Sequence, residues 1–385
     1  MSDAPATIAS IETMLVDVPT IRPHKLAMAV MHCQVLCLVK ITCSDGVVGW
    51  GEGTTIGGLA YGPESPESMK TNIDTYLAPL LAGQSAEPLS AAARMAAHVV
   101  GNNFARCAVE TALLDAEGKR RGVPVSDLVG TRVRDSLPVL WVLASGNTTT
   151  DIAEAEDMIA RRRHNVFKLK IGRRDLADDV AHVGAIKRAL GDAISIRVDV
   201  NMAWDRETAM RGIAMLADVG CDLVEQPLIS HDIAGMAQLK AQFGASIAIM
   251  ADEALNGPVS ARAFVDADGA DVFAVKIEQS AGLFAAKQVG EIADAAGVAL
   301  YGGTMLESDI GTMAAAQLFT TFPNLQWGTE LFAPLLLTEE ILTEPLTYRD
   351  FALEVPRTPG LGITPDEAAI ARLTRDGSTR TITTG

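Results

Sequence analysis

Aromatic side chains make up only 5% of the 385 residues, cysteine contributes five, and Lys and Arg (32) are outnumbered by Asp and Glu (48). Each shortage argues against something. An odd number of cysteines in so long a chain speaks against a disulfide framework. A formal net charge of -16 repels polyphosphate and anionic lipid, so no nucleic-acid partner and no membrane surface is expected. No apolar run approaches the ~20 residues that span a bilayer; the richest, 26–39, is broken by His32 and Gln34. The opening Met1-Ser2-Asp3-Ala4-Pro5 lacks the basic start and apolar core of a secretory signal. A cytoplasmic globular protein is what remains. At about 150 residues per domain the length suggests two units, or one barrel with an appendage.

The chain divides by pattern. Across 11–53, Cys33, Val35, Cys37, Val39, Ile41 and Cys43 alternate with residues such as Gln34, Lys40 and Thr42, and Ser44-Asp45-Gly46 supplies a hairpin turn. This region reads as strands. Cys33 and Cys37 stand ~13 Å apart at about 3.3 Å per residue, too far to share an ion, and read as small core residues. Residues 65–121 turn helical, Ala-rich at 89–99 and 104–117. Between the two regions, 51–62 form a Gly-rich loop without the Gly-Lys-Ser/Thr ending of a phosphate loop. A lid over a site and a plain connection are equally good readings of it. From residue 138 a beat sets in. Runs of β character at 139–144, 166–171, 194–200, 222–225, 247–252, 272–277, 298–302 and 325–329 alternate with helical stretches such as 181–190, 207–217 and 285–296. Eight strand–helix beats are the arithmetic of a (β/α)8 barrel. A doubly wound sheet would want Gly-x-Gly-x-x-Gly after its first strand, and none is there.

Charge interrupts these runs on one face, because i and i+2 share a face of a strand. Phe167, Leu169 and Ile171 would face the helices, and Lys168 and Lys170 the interior. Arg197, Asp199 and Asn201 alternate with aliphatic residues in the third run, and Glu225, Asp252, Lys276 and Glu330 end the fourth, fifth, sixth and eighth. That rim is where barrel enzymes carry their chemistry. A ring of purely structural ion pairs is the competing reading, and the cost of burying charge weighs against it. Asp199, Glu225 and Asp252 come from consecutive strands about 4.8 Å apart and can converge on one ion. Three carboxylates without a thiol or imidazole suit a hard divalent cation, Mg2+ or Mn2+. Lys170 and Lys276, four strands apart in a ring of eight, face each other across the mouth. Such a set suits proton transfer at the carbon next to a carboxylate, with Lys168 stabilising the charge that develops. The ion and the clustered lysines are expected to depress the lysine pKa values.

In this order, Lys168-x-Lys170, Asp199-x-Asn201, Glu225-Gln226-Pro227, Asp252-Glu253, Lys276 and Glu330 resemble the muconate-lactonizing subgroup of the enolase superfamily. The stretches 20–28, 54–62, 302–307, 327–332, 335–341 and 348–351 narrow the resemblance to muconate cycloisomerases of catechol catabolism, over nearly the whole chain. The resemblance implies an α/β fold: a (β/α)8-type barrel at 133–345, with an α+β capping domain formed by 1–132 and the returning segment 346–385. It implies cycloisomerisation of cis,cis-muconate to muconolactone through a metal-stabilised enolate that a lysine protonates. The partner would be a small dicarboxylate, and the assembly a homo-oligomer, commonly an octamer.

By the same resemblance Lys170 is the favoured acid, Lys168 an electrostatic helper, and Asp199, Glu225 and Asp252 the ligands of a divalent cation, Mn2+ or Mg2+. With a lysine on each side, the sequence does not choose between syn and anti addition. Lys276 lies on the opposite face, with Glu330 near the substrate carboxylate. Loops around 20–32 and 54–62 would set specificity, with Ile56, Tyr61 and Asn201 as substrate-binding residues. His24, Lys25 and Arg22 are placed to meet the second carboxylate. Other readings keep the machinery and change the substrate: chlorinated muconates, or amino-acid derivatives racemised or epimerised between two opposed lysines. A non-catalytic barrel is a third class, and the complete acid–base set speaks against it. Two departures stand out. Relatives follow the sixth-strand lysine with Ile-Ala-Lys-Asn-Gly-Gly, where this chain has Ile277-Glu278-Gln279-Ser280-Ala281-Gly282. The usual Glu-Gly after the seventh strand is Glu307-Ser308, which would add a side chain near the pocket. Elsewhere, Arg161-Arg162-Arg163-His164 reads as a helix end and the polar tail 378–385 as a fraying terminus.

Overall fold

The computed structural model describes residues 5–25 and 30–384; the side chains of His24 and Lys25 lie outside the described part. The strand pattern at the start becomes an antiparallel meander of β1 (Ile8–Lys25), β2 (Val30–Cys43) and β3 (Val48–Gly53). Its register sets Ile11 opposite Ile41 and Leu15 opposite Cys37, all four buried. One face of alternating apolar residues therefore meets the helix Asn103–Arg121, which packs on β3. All five cysteines are free, with Cys37 and Cys43 in the core.

After a short β4 (Ser136–Pro138), seven parallel strands follow: β5 (Trp141–Leu143), β6 (Val166–Lys170), β7 (Ser195–Asp199), β8 (Leu223–Glu225), β9 (Ala248–Ala251), β10 (Val272–Val275) and β11 (Ala299–Gly302). They lie side by side in chain order, each followed by a helix, from Thr148–Ala160 after β5 to Asp309–Phe319 after β11. This is a (β/α)8-type barrel with seven regular strands. The run 325–329, read as an eighth strand, is not one. Thr329 alone makes isolated bridges, to Val139 on one side and Gly302 on the other. The reason is local: Gly328 turns with φ 65°, and the Trp327 carbonyl is taken by the Arg197 guanidinium at 2.7 Å instead of a ladder. One residue closes the ring.

The C-terminal segment returns to the N-terminal sheet and forms a third, small one. β12 (Tyr348–Arg349) pairs with β13 (Ala352–Glu354), which pairs with β4, and β14 (Arg380–Thr383) adds to β1, giving the order β14-β1-β2-β3. The tail is thus a strand rather than a fraying end. The edge of β1 offers it a ladder, Ile382 stands opposite Ile11, and Thr381 Oγ1 donates to Glu12 Oε2 at 3.0 Å. The basic run also splits. Arg161 caps the helix Thr148–Ala160, but His164 is buried, stacked on Trp141 at 5.1 Å with Nδ1 2.9 Å from the Val139 carbonyl. Burial pushes its pKa down to about 4. Among the described residues no helix is long and apolar enough to cross a membrane.

Two buried carboxylates join the N-terminal sheet and its helix to the barrel. Glu52 of β3 accepts from Ser308 N (2.8 Å), Ser308 Oγ (2.5 Å) and Gly311 N (2.9 Å), at the start of the helix Asp309–Phe319. Glu110 accepts from Phe284 N at 3.1 Å, at the start of the helix Leu283–Ala296. Orphan amides at helix N-termini are natural carboxylate sites. Gly282, at φ 131°, is needed there, because a Cβ would stand 2.3 Å from Glu110 Oε1. Burial pushes both carboxyl groups up, to about 7.

Candidate active site

The barrel register lines up the rim. Lys170 stands opposite Asp199, and Asp199 opposite Glu225, each the last residue of its strand. Asp252 and Lys276 follow the ends of β9 and β10 by one residue. One cavity gathers Lys168, Lys170, Asp199, Glu225, Asp252, Lys276 and Glu330, with Ile56 and Tyr61 from the Gly-rich loop. Every one of these charges is paired. Lys168 Nζ donates to Glu225 Oε2 at 2.8 Å and Glu330 Oε2 at 2.6 Å, and lies 3.6 Å from Asp199 Oδ2. Lys170 donates to Asp199 Oδ2, and Lys276 to Asp252 Oδ2 at 2.7 Å. Lys276 can lie this way because its neighbour is Gly303, where a Cβ would come within 2.7 Å of Lys276 Cγ.

The electrostatics follow from five carboxylates (Asp199, Glu225, Asp252, Glu253, Glu330) around three ammonium groups. Burial raises the Asp199 pKa, but Lys170 and Lys168 outweigh it and hold the carboxyl down at about 2. Burial, with Asp199 next to it, pushes Glu225 well up. Burial, Asp252 and Asp199 push Glu253 up to about 8. Burial alone would lower the lysines, yet Glu225 and Glu330 raise Lys168 well above its usual value, and Asp252 and Glu253 raise Lys276 to about 12. Acids outnumber amines in the ring, so the carboxylates set the direction at these two positions; the depression anticipated from sequence concerns the ring with a divalent cation bound.

The Gly-rich loop reaches over this rim. Lys276 Nζ donates to the Tyr61 hydroxyl at 2.5 Å, which in turn donates to Asp252 Oδ2 at 2.8 Å. Gln34 of β2 fastens the loop to the barrel. Its Nε2 donates to the carbonyls of Leu306 (2.7 Å), Met305 (3.2 Å) and Thr55 (3.4 Å). Backbone strain gathers here too: Asn201, Gln226 and Leu306 take φ of 45°, 34° and 61°, each costing about 1–3 kcal/mol. Asn201 is drawn to the acids, Nδ2 donating to Asp199 Oδ2 at 3.2 Å and Glu253 Oε1 at 2.9 Å.

Other expectations meet different outcomes. Arg22 is committed elsewhere, pairing with Glu154 at 2.8 Å, whose Oε1 also accepts from Trp141 Nε1. His24 and Lys25 sit by their backbones at the end of β1, opposite Met31 and Val30, and their side chains are outside the described part. Ser308 turns its hydroxyl to Glu52 and does not line the cavity, because a helix start needs that contact. Glu278 does not line it either; it is buried with neither carboxyl oxygen bonded, and burial and Glu307 push its pKa well up.

Sequence reasoning missed Val142, Thr304, Leu306 and Phe332 in the cavity wall. They are uncharged, so no break in a strand pattern marked them. It also missed Gln226, whose Oε1 accepts from Asp252 N at 2.9 Å, and Tyr301, whose hydroxyl donates to Glu330 Oε2 at 3.0 Å. Gln226 stood in a motif already noted, Glu225-Gln226-Pro227, and that motif was the available signal.

Among the described residues no three His, Cys, Asp or Glu side chains are spaced as a finished ion site. The lysine ammonium groups hold the carboxylates instead. Still, Asp252 Oδ1, Asn201 Oδ1 and Glu253 Oε2 are buried without any hydrogen-bond partner. Hard oxygens left bare beside Asp199 and Glu225 fit a hard cation.

Comparison with known proteins places this geometry. Residues 10–130 match the mandelate racemase / muconate lactonizing enzyme N-terminal domain, and 151–369 the enolase C-terminal domain-like family. Muconate cycloisomerase 1-1 of Acinetobacter lwoffii is 59% identical over 96% of this chain and 97% of its own length. A chloromuconate cycloisomerase of Cupriavidus necator is 41% identical over 96% of this chain and 99% of its own. The crystal structure of muconate lactonizing enzyme from Pseudomonas fluorescens, complexed with muconolactone, superposes with a TM-score of 0.94 at 53% identity, covering 97% of this chain and all of that one. Enzymes of this superfamily use a divalent metal. The chain belongs to the muconate cycloisomerase family of the enolase superfamily.

Proposed function

We propose that the chain converts cis,cis-muconate to muconolactone, and that the rim residues divide the work as follows. One substrate carboxylate adds through its oxygen to the conjugated diene, forming a C–O bond. The electron pair moves to the carbon next to the other carboxylate, and Lys170 delivers its ammonium proton to that carbon. Atoms and charge balance, as an isomerisation requires. Lys168, held between Glu225 and Glu330, faces the developing negative charge from below without moving. Lys276 stands on the other side of the cavity, fixed by Tyr61 and Asp252. Asp199, Glu225 and Asp252 are the residues that would hold the divalent cation, Mg2+ or Mn2+, with Asn201 and Glu253 beside them. When bound, that ion neutralises the carboxylate next to the reacting carbon. Ile56 and Tyr61, with Phe332, shape the space for the diene, Glu330 lies near a substrate carboxylate, and His24 and Lys25 are assigned to the second carboxylate. A homo-oligomer is the assembly expected of such a chain.

The observation that carries this reading is that each ammonium group at the rim is paired to a carboxylate at the end of a strand, inside one cavity. Identity of 59% to a muconate cycloisomerase against 41% to a chloromuconate cycloisomerase favours the unchlorinated substrate. The test is product analysis with both substrates in the presence of Mg2+ or Mn2+. Muconolactone from muconate, formed much faster than any product from 3-chloromuconate, is the expected result. Exchange of the α-hydrogen of an N-acylamino acid without muconate turnover would overturn it.

A further inference from the structure

The site cavity measures about 10 Å3, room for one water and far too little for a six-carbon diacid. On the Asp252 side the Tyr61 hydroxyl closes it. The other side differs. A second cavity of about 330 Å3 lies there and shares one residue with the first, Lys170. Its walls are the loop after β5, with Ser145 and Gly146, and the loop after β6, with Arg173 and Arg174. Of the three rim lysines, Lys170 has the most open side chain: 12% exposed, against 1% for Lys168 and 3% for Lys276.

The acids of this second cavity are already engaged. Asp179 Oδ2 accepts from Gly172 N at 2.7 Å, and its Oδ1 lies 3.4 Å from Arg174 Nε. Asp151 Oδ1 accepts from Ser145 N at 3.1 Å, and its Oδ2 lies 3.2 Å from His182 Nε2. These contacts hold both loops, and the Arg174 side chain remains 40% exposed at the mouth. The lining carries three basic side chains, Lys170, Arg173 and Arg174, against two acids, Asp151 and Asp179. A chain of net charge -16 repels a dianion at long range, so even a small local excess of positive charge matters.

We propose that this cavity is the vestibule through which the dicarboxylate substrate reaches Lys170, with Arg173 and Arg174 drawing in its carboxylates. The proposal rests on the reading of Lys170 as bordering the reacting site. Arg173 and Arg174 are steering residues and take no part in the chemistry.

The test is stopped-flow association of cis,cis-muconate with the Mg2+-loaded enzyme, followed by tryptophan fluorescence across ionic strength, alongside steady-state turnover. For the Arg173→Gln/Arg174→Gln double variant the association rate should fall about tenfold at low salt and lose most of its salt dependence. Arg174→Lys should keep that dependence, and Arg349→Gln, an exposed arginine outside the cavity, should behave as the parent. kcat should change much less than kcat/KM. Equal association rates and salt slopes in the double variant and the parent would overturn the vestibule. A parent that binds muconate in this salt-dependent way without turning it over would instead overturn the reading of the reacting site.

Discussion

Two sets of buried carboxylates divide the molecule. At the rim, Asp199, Glu225 and Asp252 face the ammonium groups of Lys170, Lys168 and Lys276. At the joint between the N-terminal sheet and the barrel, Glu52 and Glu110 face backbone N–H groups of two helix starts. Both sets pay for desolvation, and each recovers it differently. A lysine head on a flexible stem can leave its partner when an ion or a substrate offers a better one. A helix amide cannot move without unwinding the helix. The first set is therefore suited to chemistry and the second to holding two parts of the chain in one arrangement.

Removing a partner at the rim should have the largest effect and leave the fold alone. For Lys170→Met, turnover should fall about 10²–10⁴-fold, while the thermal midpoint falls by only about 2–4 °C, since Asp199 loses one ammonium partner and keeps Lys168 nearby. Unfolding of the variant at the assay temperature would erase the distinction between the two sets.

At the joint the effect should appear in stability and depend on pH. The Glu52 and Glu110 carboxyl groups have folded pKa values of about 7, above the usual 4.5. The folded state therefore binds more protons between these values. Their contribution is full below pH 4.5 and is lost as pH rises through about 7, roughly 3 kcal/mol per group. Urea unfolding between pH 5 and 8 should show stability declining with pH, and Glu52→Gln should decline less. Identical slopes would mean the joint does not titrate.

The smallest effect belongs to the residue that touches the rim from the capping side. Tyr61→Phe removes the hydroxyl between Lys276 and Asp252, and kcat/KM should fall about tenfold, as expected for one charge-assisted hydrogen bond.

The difference between the sets also explains what the sequence made legible. Lys168, Lys170, Asp199, Glu225, Asp252 and Lys276 were visible because each breaks an apolar strand on a known face, and strand periodicity is local. Glu52 and Glu110 were invisible as helix caps, because their partners lie 256 and 174 residues away and nothing near them in the chain hints at a helix start. The same holds for the pairing of Arg22 with Glu154 and for β14 on β1. The closing strand was misjudged for the opposite reason: 325–329 has strand composition, but Gly328 and the contact of Arg197 with the Trp327 carbonyl decide its conformation.

In the proposed reaction the rim acids exchange lysine partners for an ion while Lys170 hands a proton to carbon. The direct measurement follows the diene absorbance of cis,cis-muconate with Mn2+ present, then with a chelator added, and repeats the run in D2O. Absorbance loss should stop on chelation and resume with fresh Mn2+, the lactone should carry one deuterium beside its free carboxylate, and Lys170→Met should form almost none of it. Turnover undiminished by the chelator, or deuterated lactone formed at the parent rate without Lys170, would contradict it.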